Sequence, residues 1–211
     1  MSGPRAVCLP NGVDLQRFHP WEREPDPARV LFIGSFAHLP NVLAMEFFLR
    51  EAWPAVAARG GRLHLIAGAR HAYYLEHHKD RAQIELTAPG IEVEDFVADV
   101  RPAYQRATVV IAPSVVSAGT NIKILEALAM GKAIVSTPAG IDGLDLVSGE
   151  EVVVAQRGEE FSAAILDLLD HPEKRRALER KARAIAERNF DWVTIAGHQR
   201  RLYESLRAMT A

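Results

Sequence analysis

Residues 108–131 read TVVIAPSVVSAGTNIKILEALAMG, and this stretch decides the fold. Residues 108–112 are rich in β-branched side chains and are bounded by Pro113 and Ser114. A run of that length and composition fits a strand covered on both faces, as in a parallel sheet. Residues 117–121 form a short polar loop. Residues 122–130 then turn helical, because Ile122, Leu125 and Ala129, and Ile124 and Leu128, recur at three- and four-residue steps. Gly131 stops the helix, as glycine does just past a helix end.

The chemistry follows from a strand, loop and helix in that order. A helix start carries backbone N–H groups without intrahelical partners and the positive end of the helix dipole. Gly119 lets a ligand approach the backbone closely. Gly119, Thr120, Asn121 and Ile122 therefore form a candidate phosphate or diphosphate site. Lys123 and Glu126 are three residues apart and share a face near that end. The lysine can neutralise a phosphate, and the glutamate can accept from sugar hydroxyls. The alternative is a plain βα unit with a surface Lys–Glu pair.

Working outward, strands are expected at 29–33, 62–67, 91–97, 133–136 and 151–154, besides 108–112. Helices are expected at 42–58, 71–78, 99–107, 161–169, 173–189 and 192–209. Pro54 should kink or split the first helix. Asp99 and Asp191 are candidate caps. The last helix places Ile195, Leu202, Leu206 and Met209 on one face. Strands alternating with helices predict an α/β fold: a Rossmann-like, doubly wound parallel sheet of about six strands. Ligands in such sheets bind at the carboxyl ends of the strands. Gly34 and Ser35, Arg70, Phe96 and Val97, and Ser114 fall at those ends and would share one edge with the Gly119 loop. Residues 9–29, with Pro10, Pro20, Pro25 and Pro27, read as an arm without regular structure.

The totals narrow the function. The chain has 211 residues, 48% hydrophobic and 25% charged, which is the composition of a soluble globular protein. A net charge of −2 gives no support to nucleic-acid binding. The single cysteine, Cys8, makes no internal disulfide, so a reducing, cytoplasmic setting is expected. The start, MSGPRAVCLPNGVD, lacks the pattern of a secretory leader, and no apolar run approaches the ~20 residues of a membrane helix. The charged helix at 173–189 interleaves acids with bases, so it reads as a solvated face, with peripheral contact to an anionic membrane surface as a minority alternative. No G-x-G-x-x-G follows the first strand, so nicotinamide and flavin binding are not expected. A phosphate loop and a nucleophile elbow are also absent. His71, His77 and His78 lack partners at metal-ligand spacing, and His64 reads as a packed or edge histidine, so no metal is expected.

The pieces together resemble the C-terminal, donor-binding half of the retaining GT-B glycosyltransferases of the family 4-like group. The residues that carry it are LPNGVDLQRFHP (9–20), RVLFIGSFAHLPN (29–41), IEVEDFVADVRPAYQRATVVIAPS (91–114) and SAGTNIKILEALAMGKAIVSTPAGIDGL (117–144), with NFDWVTIAGHQRRLYESL (189–206) similar to the family's closing helix. The resemblance implies a linker arm over residues 1–28, a nucleotide-sugar-binding domain over 29–190, and a helix over 191–211 that crosses back to an N-terminal acceptor domain. It implies a UDP-, GDP- or ADP-sugar as donor substrate, with no metal and no other cofactor. Gly119, Thr120 and Asn121 would hold the diphosphate, Glu126 the ribose or sugar hydroxyls, and the backbone of Phe96 and Val97 the base.

Two departures matter. The first glutamate of the family's E-x7-E motif falls at Ala118, and Ser35 and Pro40 stand where a basic pair is common. A subgroup with Gly-Thr-x-x-Lys-x-x-Glu fits better. In it Lys123, with Arg70, would supply the positive charge, and Lys123 and Glu126 would be the catalytic pair. The departures leave open a non-catalytic nucleotide-binding module with the fold kept. An epimerase of the same architecture is a further, lesser alternative. An exposed face is expected where the acceptor domain would pack, and an isolated domain can self-associate through it, so the oligomeric state stays open.

Overall fold

The computed structural model describes residue 7 and residues 9–117 and 119–210. Cys8, Ala118 and the side chain of Met209 lie outside the described residues. Among the described residues, six strands form one sheet: β1 (Arg29–Ile33), β2 (Arg62–Ile66), β3 (Ile91–Glu94), β4 (Val109–Ala112), β5 (Ile134–Ser136) and β6 (Val153–Val154). Their order is β3-β2-β1-β4-β5-β6, and every neighbouring pair is parallel. The order reverses between β1 and β4, and that reversal opens a crevice beyond the strands' carboxyl ends. The expected α/β doubly wound sheet is therefore present.

Among the described residues there are eight α-helices: α1 (Leu39–Glu51), α2 (Trp53–Ala58), α3 (His71–His78), α4 (Arg101–Arg106), α5 (Ile122–Ala129), α6 (Gly158–Asp170), α7 (Pro172–Ile185) and α8 (Trp192–Thr210). Side chains alternate along each strand, so every strand but β3 feeds two cores. Val30 and Phe32, Leu63 and Leu65, and Val109 and Ile111 join Phe48 of α1, Val56 of α2 and Phe161 of α6 on one face. Leu31, Ile66 and Val110 join Tyr104 of α4, Leu125 of α5 and Ala182 of α7 on the other. Fully burying such a side chain contributes roughly 1.5–3 kcal/mol, so both faces hold the sheet.

The expected helix at 42–58 is two. It begins at Leu39, with Pro40 in its first turn, and breaks at Ala52 so that Pro54 sits in the first turn of α2. A proline costs nothing there, because those N–H groups lack intrahelical partners. β3 ends at Glu94, short of the expected Val97, because its partner β2 turns away at Gly68, whose φ is +82°. Phe96 and Val97 thus lie in a loop. The charged helix buries Leu178, Ala182 and Ile185 as its spacing requires, then passes through a π turn at Ala186–Phe190. On α8, Ile195 is buried and Leu202 half-buried, but Leu206 is exposed.

Residues 9–20 have no regular element, yet they are seated on the domain. Val13 and Phe18 are buried in the second core. The Val13 N–H donates to Phe190 O at 2.7 Å, and the Trp192 N–H donates to Val13 O at 3.3 Å. A Cβ on Gly12 would come within 2.7 Å of the Trp192 ring. No helix among the described residues is long and apolar enough to cross a membrane.

Candidate functional site

The strand ends and the α5 start converge at the reversal point between β1 and β4. Gly119 has φ +83°, a conformation that glycine adopts without strain, and a Cβ there would meet open space. Asn121 takes the N-cap position in extended conformation, but its side chain makes no cap hydrogen bond. Its Nδ2 instead donates to Gly140 O at 2.8 Å and to Ser114 Oγ at 3.4 Å. That fastens the α5 loop to the turn after β5 and leaves the first-turn N–H groups without a side-chain acceptor. Gly119 and Thr120 line a cavity of about 520 Å³ with Pro10 and Asn11 of the arm and Asp142 and Asp145 of the β5–β6 connection. Ser114 borders a second depression of about 440 Å³ with Thr137 and Gln156.

Lys123 does not pair with Glu126. Its Nζ donates to Asn41 Oδ1 at 3.2 Å and lies 4.4 Å from the centre of the Phe32 ring. Among the described residues no carboxylate pairs with it. Loss of hydration, with no anion nearby to offset it, brings the amine down to about 8. Asn41 is fixed in turn, since its Nδ2 donates to Ser35 O at 2.9 Å. Gly34 is required beside it, because a Cβ there would lie 2.8 Å from the Asn41 amide. So β1, α1 and α5 meet at Lys123, with neutral groups only.

Glu126, one turn on, faces the other core. Its Oε2 accepts from Tyr104 Oη at 2.9 Å. Burial raises its carboxyl above the usual range, while the Tyr104 hydroxyl and the Arg17 charge oppose that rise. Lysine and glutamate thus each shift toward the neutral form, the opposite of what a surface ion pair does. The surface-pair reading is overturned by the separate partners of the two residues.

The remaining candidates lie on the same edge without touching this pair. Arg70, at φ +60°, holds its guanidinium 4.6 Å from the Tyr73 ring centre. Phe96 is 73% exposed. Val97 packs partly on the second core. Ser114 O accepts from Thr137 Oγ1 at 2.6 Å. Asn41, Phe32, Tyr104 and Arg17 were not singled out by the sequence, since each meets its partner across many residues.

For a cation, His64, Glu92 and Glu94, on β2 and β3, are the group that gathers among the described residues. His64 Nε2 lies 2.7 Å from Glu94, and burial and Arg29 hold the ring below its ordinary value. The Arg29 guanidinium, 2.7 Å from Glu92, already occupies the carboxylate a metal would need. The cluster is an ion-pair network at the sheet edge. His71, which bonds Asp95, lies on α3, a helix with no buried residue, as do His77 and His78.

Comparison with known proteins follows the same line. Residues 27–171 match the family model described as "Glycosyl transferases group 1". No curated protein sequence matches. The fold is similar to sucrose-phosphate synthase from Thermosynechococcus elongatus, at 20% identity and TM-score 0.72, over 95% of this chain and 52% of that one. It is similar to Anabaena Alr3699/HepE, whose structure holds UDP-glucose, at 19% identity and TM-score 0.70, over 95% of this chain and 57% of that one. It is also similar to the C-terminal domain of the group 1 glycosyltransferase LpcC from Francisella tularensis, at 17% identity and TM-score 0.60, over 86% of this chain and 100% of that one. The chain thus spans about half the length of the first two. With a family model covering most of its length and a sheet laid out as in the LpcC domain, the chain belongs to the group 1 glycosyltransferases and has the fold of the C-terminal half of the GT-B enzymes.

Proposed function

We propose that the chain is the donor-binding half of a glycosyltransferase that moves a glycosyl group from a nucleoside diphosphate sugar to an acceptor hydroxyl, with retention at the anomeric carbon. The observation that carries the reading is Lys123. Its ammonium is half-buried at the start of α5, beside uncapped N–H groups, and has no carboxylate partner among the described residues. An unpaired, partly dehydrated cation at a helix start is suited to a diphosphate. As the bond to the sugar breaks, negative charge grows on the diphosphate, and Lys123 and the α5 N–H groups stabilise it. Glu126 accepts from hydroxyls of the ribose or sugar. No metal enters this scheme. The relatives' greater length supports an N-terminal domain as the source of the acceptor site.

The position of the first motif glutamate, Ala118, favours a second reading, a binding module that keeps the nucleotide site without turnover. Thermal unfolding with UDP, GDP, ADP and their glucose conjugates tests the shared part. A ligand at ~100 times its dissociation constant adds ~2.7 kcal/mol of stability. One nucleotide should raise the melting temperature, and Glu126→Ala should abolish the rise. A flat response to all of them sinks both readings for this chain. Glycosyl transfer measured after an N-terminal half is supplied then separates enzyme from module.

A further inference from the structure

Tyr104 is given no role in the sequence reading beyond its place in a helix, and it is fully buried. The short helix that carries it, α4, runs RPAYQR, with Asp99 just ahead of it held by Arg101 through Nε and Nη2 at 2.8 and 2.7 Å. That clamp fixes where α4 begins. The ring of Tyr104 then packs among Leu31, Ile124 and Leu125 of the second core, and its hydroxyl emerges against α5. A buried tyrosine hydroxyl needs a partner. Here Oη lies 2.9 Å from Glu126 Oε2 and 3.2 Å from Lys123 O. Its one proton serves the carboxylate or the carbonyl, and the shorter distance and the ionised acceptor favour the carboxylate.

We infer that Tyr104 is a positioning residue for Glu126, holding one carboxylate oxygen so that the other is aimed at the vicinal hydroxyls of a bound nucleotide. This rests on the proposed donor site and adds to it the group that sets its hydroxyl acceptor. A glutamate side chain loses up to ~2 kcal/mol of rotamer freedom when fixed, and a partner that fixes it beforehand spares the ligand that loss. The hydroxyl also opposes the rise that burial gives the Glu126 carboxyl. Burial drives the Tyr104 phenol well above its ordinary value, so it stays a donor throughout the working range. The other charge acting on Glu126 is Arg17, from the arm. Arg101 on α4 is engaged by Asp99, and Arg183 of α7 lies at the far end of α5, bonded to Ala129 O and Phe18 O.

Titration calorimetry with UDP, GDP and ADP, and with the 2′-deoxy form of whichever binds, tests this on wild type and Tyr104→Phe. Removing a hydrogen bond to a charged group should weaken the ribonucleotide about 10-fold. The preference for ribo- over deoxyribonucleotide should collapse, which a merely structural loss would not cause. The pH below which binding fails should move upward, because the carboxylate loses the donor that favours its ionised form. Replacing Tyr104 by 3-fluorotyrosine, which keeps the ring and strengthens the donor, should move that limit downward, and serves if the phenylalanine variant folds poorly. Unchanged affinity, discrimination and pH limit in both variants overturn the role of Tyr104 alone. Failure of wild type to bind any nucleoside diphosphate overturns the donor-site reading and this inference with it.

Discussion

The two ends of α5 each hold a shielded lysine, and they are built in opposite ways. At the far end the chain closes completely. Gly131, at φ +60°, lets its own N–H reach Leu128 O at 3.0 Å and the Lys132 N–H reach Ala127 O at 2.9 Å. This is the Schellman arrangement, which satisfies the last carbonyls of a helix. The Arg183 guanidinium takes Ala129 O at 2.6 Å. Lys132 Nζ donates to Gln105 O and Ala107 O, both at 3.1 Å, and ties α4 to the helix end. At the near end, among the described residues, no side chain caps the N–H groups, and Lys123 has one amide oxygen and a ring face. One terminus spends its polar groups on the protein. The other leaves its first-turn N–H groups without a side-chain cap among the described residues.

The contrast predicts two separable losses, the larger at the closed end. Lys132→Ala should lower stability by about 3 kcal/mol, since two buried carbonyls lose their donor. For a chain of this size that is a fall of about 6–12 °C in melting temperature. Nucleotide affinity at temperatures where the variant is folded should be unchanged. A variant that melts as wild type would show that the closed end is not what holds α4 to α5.

At the open end the same truncation should act the other way round. Lys123→Ala should weaken a bound nucleoside diphosphate about 30-fold, in line with ~2 kcal/mol for a hydrogen bond to a charged group. Its melting temperature without ligand should stay level or rise, because a partly dehydrated charge has been removed. Calorimetry and unfolding on one preparation check both. A fall in stability without a fall in affinity would make Lys123 a packing residue and remove the basis of the proposed site.

Why one end was legible and the other only half so is a matter of range. The closed end follows from Gly131, a local signal. So does the sheet, because runs such as RVLFI and TVVIA are short, β-branched and bounded by turns, and burial on both faces acts on each strand by itself. Gly119, Thr120, Asn121, Lys123 and Glu126 were singled out because one βα unit carries them. Their partners were not, because Asn41 reaches Lys123 across 82 residues and Tyr104 reaches Glu126 across 22. No periodicity encodes such pairs. Tyr104 is also masked by its own ring, since a lone aromatic in a six-residue helix reads as core. The supposed Lys–Glu pair shows the same limit: a three-residue spacing brings two side chains near each other, but the neighbours they lean against decide whether they meet.

The last test of the open end needs no ligand. Lys123 titrates at about 8 in the folded chain and at ~10.4 when unfolded. Between those values the unfolded chain holds the proton and the folded one does not, so stability contributed at this site rises with pH through the window. Below about 8 both states are charged, and the dehydration cost is borne in full. Lys123→Met keeps the stem and removes the charge. Its advantage in melting temperature over wild type should therefore be greatest near pH 7 and shrink steadily toward pH 10. The paired difference removes the contribution of Lys132, whose amine is also lowered by burial but is common to both proteins. A difference that stays constant over that range would mean Lys123 is as well solvated as any surface lysine, and the start of α5 would lose the partly dehydrated cation on which the proposed site rests.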